Sequence, residues 1–192
     1  MTGDLEAAEP QVHDAAVSVL RFWFEEVDEE KHWTRSITLD QAIGERFGQL
    51  RDQVKESAGA GWRATPDALL AAVILLDQFS RNIHRDEAET FAADPIAREL
   101  ALFGMLRGDD LGLPPDRRVF LYMPLMHAED RMIQRLSIEK FTALGDQFQL
   151  GFARGHAEVV ERFGRFPSRN AILKRRSTAL EKEYLSQPGV GW

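Results

Sequence analysis

The 192-residue chain contains no cysteine. Disulfides, thiolate chemistry, cysteine-ligated zinc and iron–sulfur clusters are therefore excluded. Long apolar runs are also missing. The longest, 68–76, is nine residues, against the roughly 20 that span a bilayer as a helix. No excess of positive charge exists either: the net charge is −7 and the pI about 5.3, so no global basic field attracts nucleic acid or an anionic membrane. The first residues, MTGDLEAAEPQVHD, are acidic and unlike a secretory signal. The expected compartment is the cytoplasm, with neither nucleic acid nor membrane as partner. There is no Walker loop, no GxGxxG after a strand, no GxSxG elbow, no HExxH and no EF-hand loop, so no cofactor is expected.

Sustained period-two alternation is absent too. Apolar spacing throughout is helical, and the expected fold is all-α, with about eight to ten helices in antiparallel pairs stacked on one another. A flexible tail is expected over 1–12 and a single all-helical domain over 13–192. Val17, Leu20, Phe24 and Val27 mark a first helix, 13–27. Thr38-Leu39-Asp40-Gln41 has the form of a capping box opening a second, 39–56, with Leu39, Ile43, Phe47, Leu50 and Val54 inward. Thr65-Pro66-Asp67 is an N-cap, an N1 proline and a first-turn acid. The helix they open, 66–80, is apolar nearly all round and should be central. Asp94-Pro95 restarts with the same logic, with Ile96, Leu100, Phe103 and Leu106 as the stripe. Leu113-Pro114-Pro115-Asp116 opens a further helix that Pro124 breaks or kinks, 125–136 continues as helix, and 137–144 forms another or an extension. Gly145-Asp146 separates these from a long helix, 147–163, with Phe148, Phe152, Val159, Val160 and Phe163 inward and Gly164 closing it. Thr178 and Glu181 form a capping box. The tail QPGVGW is loose unless Trp192 docks.

Four polar clusters can carry chemistry. The central segment LLAAVILLDQFSRNIHR ends in Asp77, Gln78, Arg81, Asn82, His84 and Arg85. Asp77 and Arg81 are i,i+4 neighbours, so Asp77 can orient a guanidinium suited to a carboxylate or phosphate. The bland alternative is a helix C-terminus wrapped in polar groups. In MPLMHAEDRMIQ, a continuous helix puts His127, Asp130 and Gln134 on one face, while Glu129 falls about 200° away from His127. His127–Asp130 is then an oriented general base, or a capped, salt-bridged helix. His156 shares a stripe with Phe152, Val159, Val160 and Phe163 and points inward, either as a core histidine or as a partner of His127. Two histidines with one or two acids match no strict metal-ligand pattern. Finally, Arg162, Arg165, Arg169, Lys174, Arg175 and Arg176 put six cations in fifteen residues of an acidic chain. They read as anchors for Asp77, Asp130 or Glu129, or as a clamp for a small anion, rather than as a nucleic-acid patch.

The phrases VLRFWF, ALLAAVILLDQFSRN, FLYMPLMHAEDRMIQ and HAEVVERFGRFPSRNAIL, with RRST after it, resemble the bacterial domain-of-unknown-function family 924 from about Val19 to Leu185. The resemblance implies an all-helical fold similar to the tetratricopeptide-like α–α superhelix and no assigned activity. It also implies a polar pattern on Asp77, Gln78, Arg81, Asn82, His127, Glu129, Gln134, His156, Arg162, Arg165, Arg169 and Asn170. The chain departs from the family phrase at Ser168, where histidine is usual, and at Lys174, where glycine is usual.

Two functions remain open. In one, Asp77, Arg81, Asn82, His127, Asp130, His156 and Arg165 line a pocket that binds a small anionic molecule, with the histidines moving protons in a hydrolase-like reaction. In the other, the clusters are structural and the protein is a scaffold for a peptide, using a face with Trp33 and Arg35. Neither the reaction nor the oligomeric state is legible.

Overall fold

The computed structural model describes residues 3–190, with side chains from residue 11 onward. Among the described residues every regular element is helical and there is no strand, in keeping with the all-α expectation. The α-helices among the described residues are α1 (Gly3–Arg21), α2 (Ile37–Glu56), α3 (Pro66–Ile74), α4 (Ser80–Ile83), α5 (Asp94–Arg107), α6 (Asp109–Gly112), α7 (Pro115–Met126), α8 (Arg131–Leu144), α9 (Gln147–Phe163) and α10 (Ala179–Leu185). π-helical turns follow α1, at Phe22–Glu26, and α3, at Leu75–Phe79. The helix expected from 13 begins at Gly3, inside the stretch expected as a tail. Trp192 lies outside the described residues. None of the described helices is long and apolar enough to cross a membrane.

The chain divides into two compact units, one of 1–85 with 89–124, the other of 86–88 with 125–192. The first is built on α3. Thr65 caps it by accepting from the Ala68 N–H at 3.1 Å, and every residue from Leu69 to Leu76 is fully buried. Burying each Leu or Ile contributes roughly 1.5–3 kcal/mol, so this segment dominates the core. It packs against α1 and α5. The approach to α5 is close: a Cβ at Gly104 would meet Leu69 Cδ2 at 2.8 Å, so any side chain there would force the buried Leu69 to shift. Phe22, Phe47 and Phe79 form an aromatic cluster with ring centroids 5.1–6.0 Å apart, extended by Trp23 5.3 Å from Phe79.

Several boundaries differ from the local reading. Ser36, not Thr38, caps α2, accepting from the Leu39 N–H. Asp94 does not cap α5. It sits in the first turn, where it receives Arg81. Arg51, rather than Leu50, completes the buried face of α2. Val17, Phe103, Leu106 and Phe148, expected inward, are exposed.

The second unit contains the α8–α9 hairpin, turned at Gly145, whose φ of 81° is left-handed. Gly164 closes α9, as the spacing predicts, and Asp146 caps its start. The capping box of Thr178 and Glu181 opens α10. Phe166 packs with Val159 and Val160 beneath Phe163 and Tyr184. The largest departure is here. Helix does not run unbroken through 125–136: α7 continues past Pro124 but stops at Met126, a turn covers 127–130, and α8 starts at Arg131.

Candidate functional site

The polar end of the central segment is an internal ion-pair network of the first unit. Asp77 is fully buried on the π turn. Arg81 Nη1 lies 3.0 Å from Asp77 Oδ1 and 2.8 Å from the Asp77 carbonyl, and Arg81 also donates to both Asp94 oxygens at 3.0 and 3.2 Å. Burial by itself would lower the Arg81 pKa; the charges of Asp77 and Asp94 outweigh it and raise it. Gln78 Nε2 donates to Asp77 Oδ2 at 2.5 Å and meets Met123 Sδ at 3.1 Å. Asn82 and Arg85 both donate to Asp40, at 2.5–2.8 Å. The guanidinium expected to hold an external anion is thus engaged by two carboxylates of its own chain.

Arg51 is a polar centre that the reading of the sequence missed. It is 1% exposed and donates from Nε to Ser80 Oγ at 2.9 Å and from Nη1 to Asp52 and Glu89 at 2.9 and 2.7 Å. Lys55 joins Glu89 at 2.5 Å. Arg51, Asp52, Lys55 and Glu89, with Glu56, His84 and Ile96, line a recess of about 440 Å³. The signal was its position four residues after Phe47 and three before Val54, on the buried stripe.

The second unit brings several predicted residues together. His127 stands half-buried in the turn after α7. Its ring centroid is 6.0 Å from that of the buried His156. His156 Nδ1 lies 2.9 Å from the Phe152 carbonyl. A carbonyl can only accept, so Nδ1 carries the proton and the neutral ring's lone pair is on Nε2. Phe166 packs edge-on against His156 at 5.4 Å. Arg169 covers Phe166 at 4.6 Å and donates to the His127 carbonyl at 3.0 Å. Gln134 Nε2 donates to the carbonyls of Met126 and Ala128, both at 2.7 Å.

Glu129 fastens this loop. It accepts from the Phe166 N–H at 2.8 Å and from both terminal nitrogens of Arg175 at 2.5 and 2.8 Å. Burial alone would raise its pKa; Arg175, the Phe166 N–H and Arg169 hold it below the usual carboxylate range. Arg175 also donates to Asn170 Oδ1 and the Phe166 carbonyl, and Asn170 donates to Ser177. One of the expected anchor pairings is therefore real, through Arg175 and Glu129.

Three predicted members stand apart from the two imidazoles. Asp130 is exposed and caps α8, its Oδ1 accepting from the N–H groups of Met132 and Ile133 at 2.8 and 3.0 Å. The oriented His127–Asp130 base required one continuous helix, and the turn removes it. Arg165 is held by Glu181 at 2.7 and 2.9 Å, and this pairing, against the opposing effect of burial, lowers the Glu181 pKa to about 2. Arg162 lies over the Phe163 and Tyr184 rings beside a recess of about 190 Å³. Ser168 lies half-buried in the 3₁₀ turn Pro167–Arg169. Lys174 has φ of 54°, the left-handed region that a glycine occupies without strain. Among the described residues no group of three or more His, Cys, Asp or Glu side chains is arranged to hold a metal ion.

The family model described as "Bacterial protein of unknown function (DUF924)" matches residues 19–189. The fold is similar to a solved structure described as a protein of unknown function, ATU0120, from Agrobacterium tumefaciens. The two are 35% identical, with a TM-score of 0.86, over 91% of this chain and 98% of that one. No curated protein matches the chain.

Proposed function

This chain belongs to the DUF924 family of bacterial proteins of unknown function, and we propose that it binds a small anionic molecule at the His127–His156 pair and moves protons there. The observation that carries this reading is the 6.0 Å separation of two imidazoles brought from α9 and from a turn outside any helix. The two rings lie 29 positions apart in sequence, so tertiary packing alone accounts for their approach. The His156 tautomer is set by the Phe152 carbonyl, which leaves Nε2 as the basic atom. The guanidinium of Arg169 lies at the His127 backbone, where its charge favours an anion over a neutral ligand. Histidine pairs titrate within reach of neutral pH, which suits hydrolysis or another general acid–base step.

The test is a histidine NMR titration with inorganic phosphate and with acetate. The expected outcome is a saturable shift of the His127 and His156 ring resonances, with those of His13 and His84 unmoved. Absence of any such shift at millimolar anion overturns the reading.

A scaffold that binds a peptide is the second reading. The internal pairing of Arg81 with Asp77 and Asp94, and of Arg165 with Glu181, favours it, since those clusters then serve folding alone. Trp33, 40% exposed and stacked on Phe120 at 5.8 Å, belongs to the face such a partner would use.

A further inference from the structure

Gln134 is 2% exposed. Its single amide nitrogen reaches the carbonyls of Met126 and Ala128, each at 2.7 Å. These residues flank His127, whose own carbonyl receives Arg169. Three successive carbonyls of a turn are therefore taken by side chains from α8 and from the 3₁₀ segment. A primary amide carries two N–H groups, one for each flanking carbonyl. The arrangement also fixes which way the amide points: turned over, it would set its oxygen against two other oxygens.

The cost of this arrangement lies at the other end of the amide. Gln134 Oε1 is enclosed and has no hydrogen-bond partner. A buried acceptor left in this way is costly, and it offsets part of what the two bonds contribute. Methionine has nearly the same length and would remove the orphaned oxygen, but it would leave the Met126 and Ala128 carbonyls without their donor. The specific effect of the glutamine is to fix the backbone on both sides of one imidazole.

We infer that Gln134 is a positioning residue: by bridging the carbonyls before and after His127, it holds that ring beside His156. Its donors face backbone and its oxygen is enclosed, so it acts through His127 and not on a ligand. The inference rests on the reading of the histidine pair as the site, but the positioning itself needs no ligand to be observed.

The experiment is the pH titration of the histidine ring resonances in the wild-type chain and in Gln134→Met, with His13 and His84 as internal references. The expected result is a displaced and broadened His127 titration, read at a temperature where both chains are folded. Gln134→Asn keeps the amide but is too short to reach both carbonyls, and the same change in His127 is expected. An unchanged His127 titration in both variants overturns the inference, whatever happens to stability. Adding inorganic phosphate separates the two ideas. If wild-type His127 ignores phosphate but moves in Gln134→Met, the anion reading fails and the positioning role stands.

Discussion

Arg175 meets Glu129 through both terminal nitrogens, at 2.5 and 2.8 Å, across 46 positions of sequence. Each side chain is 24% exposed, so the pair is largely shielded from water. It does more than neutralise charge. Glu129 also takes the Phe166 N–H and Arg175 the Phe166 carbonyl, so the pair grips both sides of the residue that packs on His156.

Removing one partner should therefore cost more than an exposed ion pair does. Arg175→Met is expected to lower stability by about 2–3 kcal/mol, below the roughly 3–5 kcal/mol for a fully buried pair because of the residual exposure. Chemical denaturation measures this. Glu129→Gln, which keeps the shape and an acceptor, should lose less. Equal losses in the two variants would show that charge, not the grip on Phe166, dominates.

The pairing of Arg81 with Asp77 allows a sharper separation of structural and ligand-binding roles. Arg81→Met strands a carboxylate that is fully buried, and a loss of about 3–5 kcal/mol is expected. The double variant Arg81→Met with Asp77→Leu removes the stranded charge and should recover much of that loss. A double variant as unstable as the single one would contradict a role limited to charge compensation.

How much of this was legible depends on whether the determining interaction was local. The cap at Thr65, the closing Gly164 and the Thr178–Glu181 capping box all act within four residues, and all are found where the spacing put them. The turn at 127–130 was not visible. Periodicity carried a helix through it, whereas Asp130 is a cap and Gln134 and Arg169 collect the carbonyls that a continued helix would have used. Arg51 was missed because a charge was not admitted to an apolar stripe, although its donors are satisfied by Ser80, Asp52 and Glu89. The histidine pair was anticipated only as a possibility of facing rings. Spacing cannot choose which arginine meets which acid, since those partners lie tens of positions apart.

Lys174 offers a gain rather than a loss. Its φ of 54° puts Cβ against the backbone, and its side chain is exposed. Lys174→Gly should relieve the strain, offset in part by the greater freedom of glycine in the unfolded chain. A net stabilisation of about 1 kcal/mol is expected, read as a raised melting temperature. Lys174→Ala keeps the Cβ and should give no comparable gain. An alanine variant as stable as the glycine variant would locate the effect in the lysine side chain instead of the backbone.

Glu181 sets the acid limb of the stability curve. Its pKa is held at about 2 by Arg165, with further bonds from Thr178, against an ordinary value of 4.5. A carboxyl whose folded value is depressed binds protons more readily when unfolded, so stability rises with pH across the gap. The contribution is complete above about 4.5 and disappears as the pH falls towards 2. Glu129, Asp40 and Glu89 are depressed in the same direction and steepen the same limb. Glu181→Gln should therefore flatten the dependence between pH 4.5 and 2 and lower stability at neutral pH, where Arg165 loses its charged partner. Urea denaturation across that range measures the slope, and a variant with the wild-type slope would assign the acid sensitivity to the other depressed carboxylates.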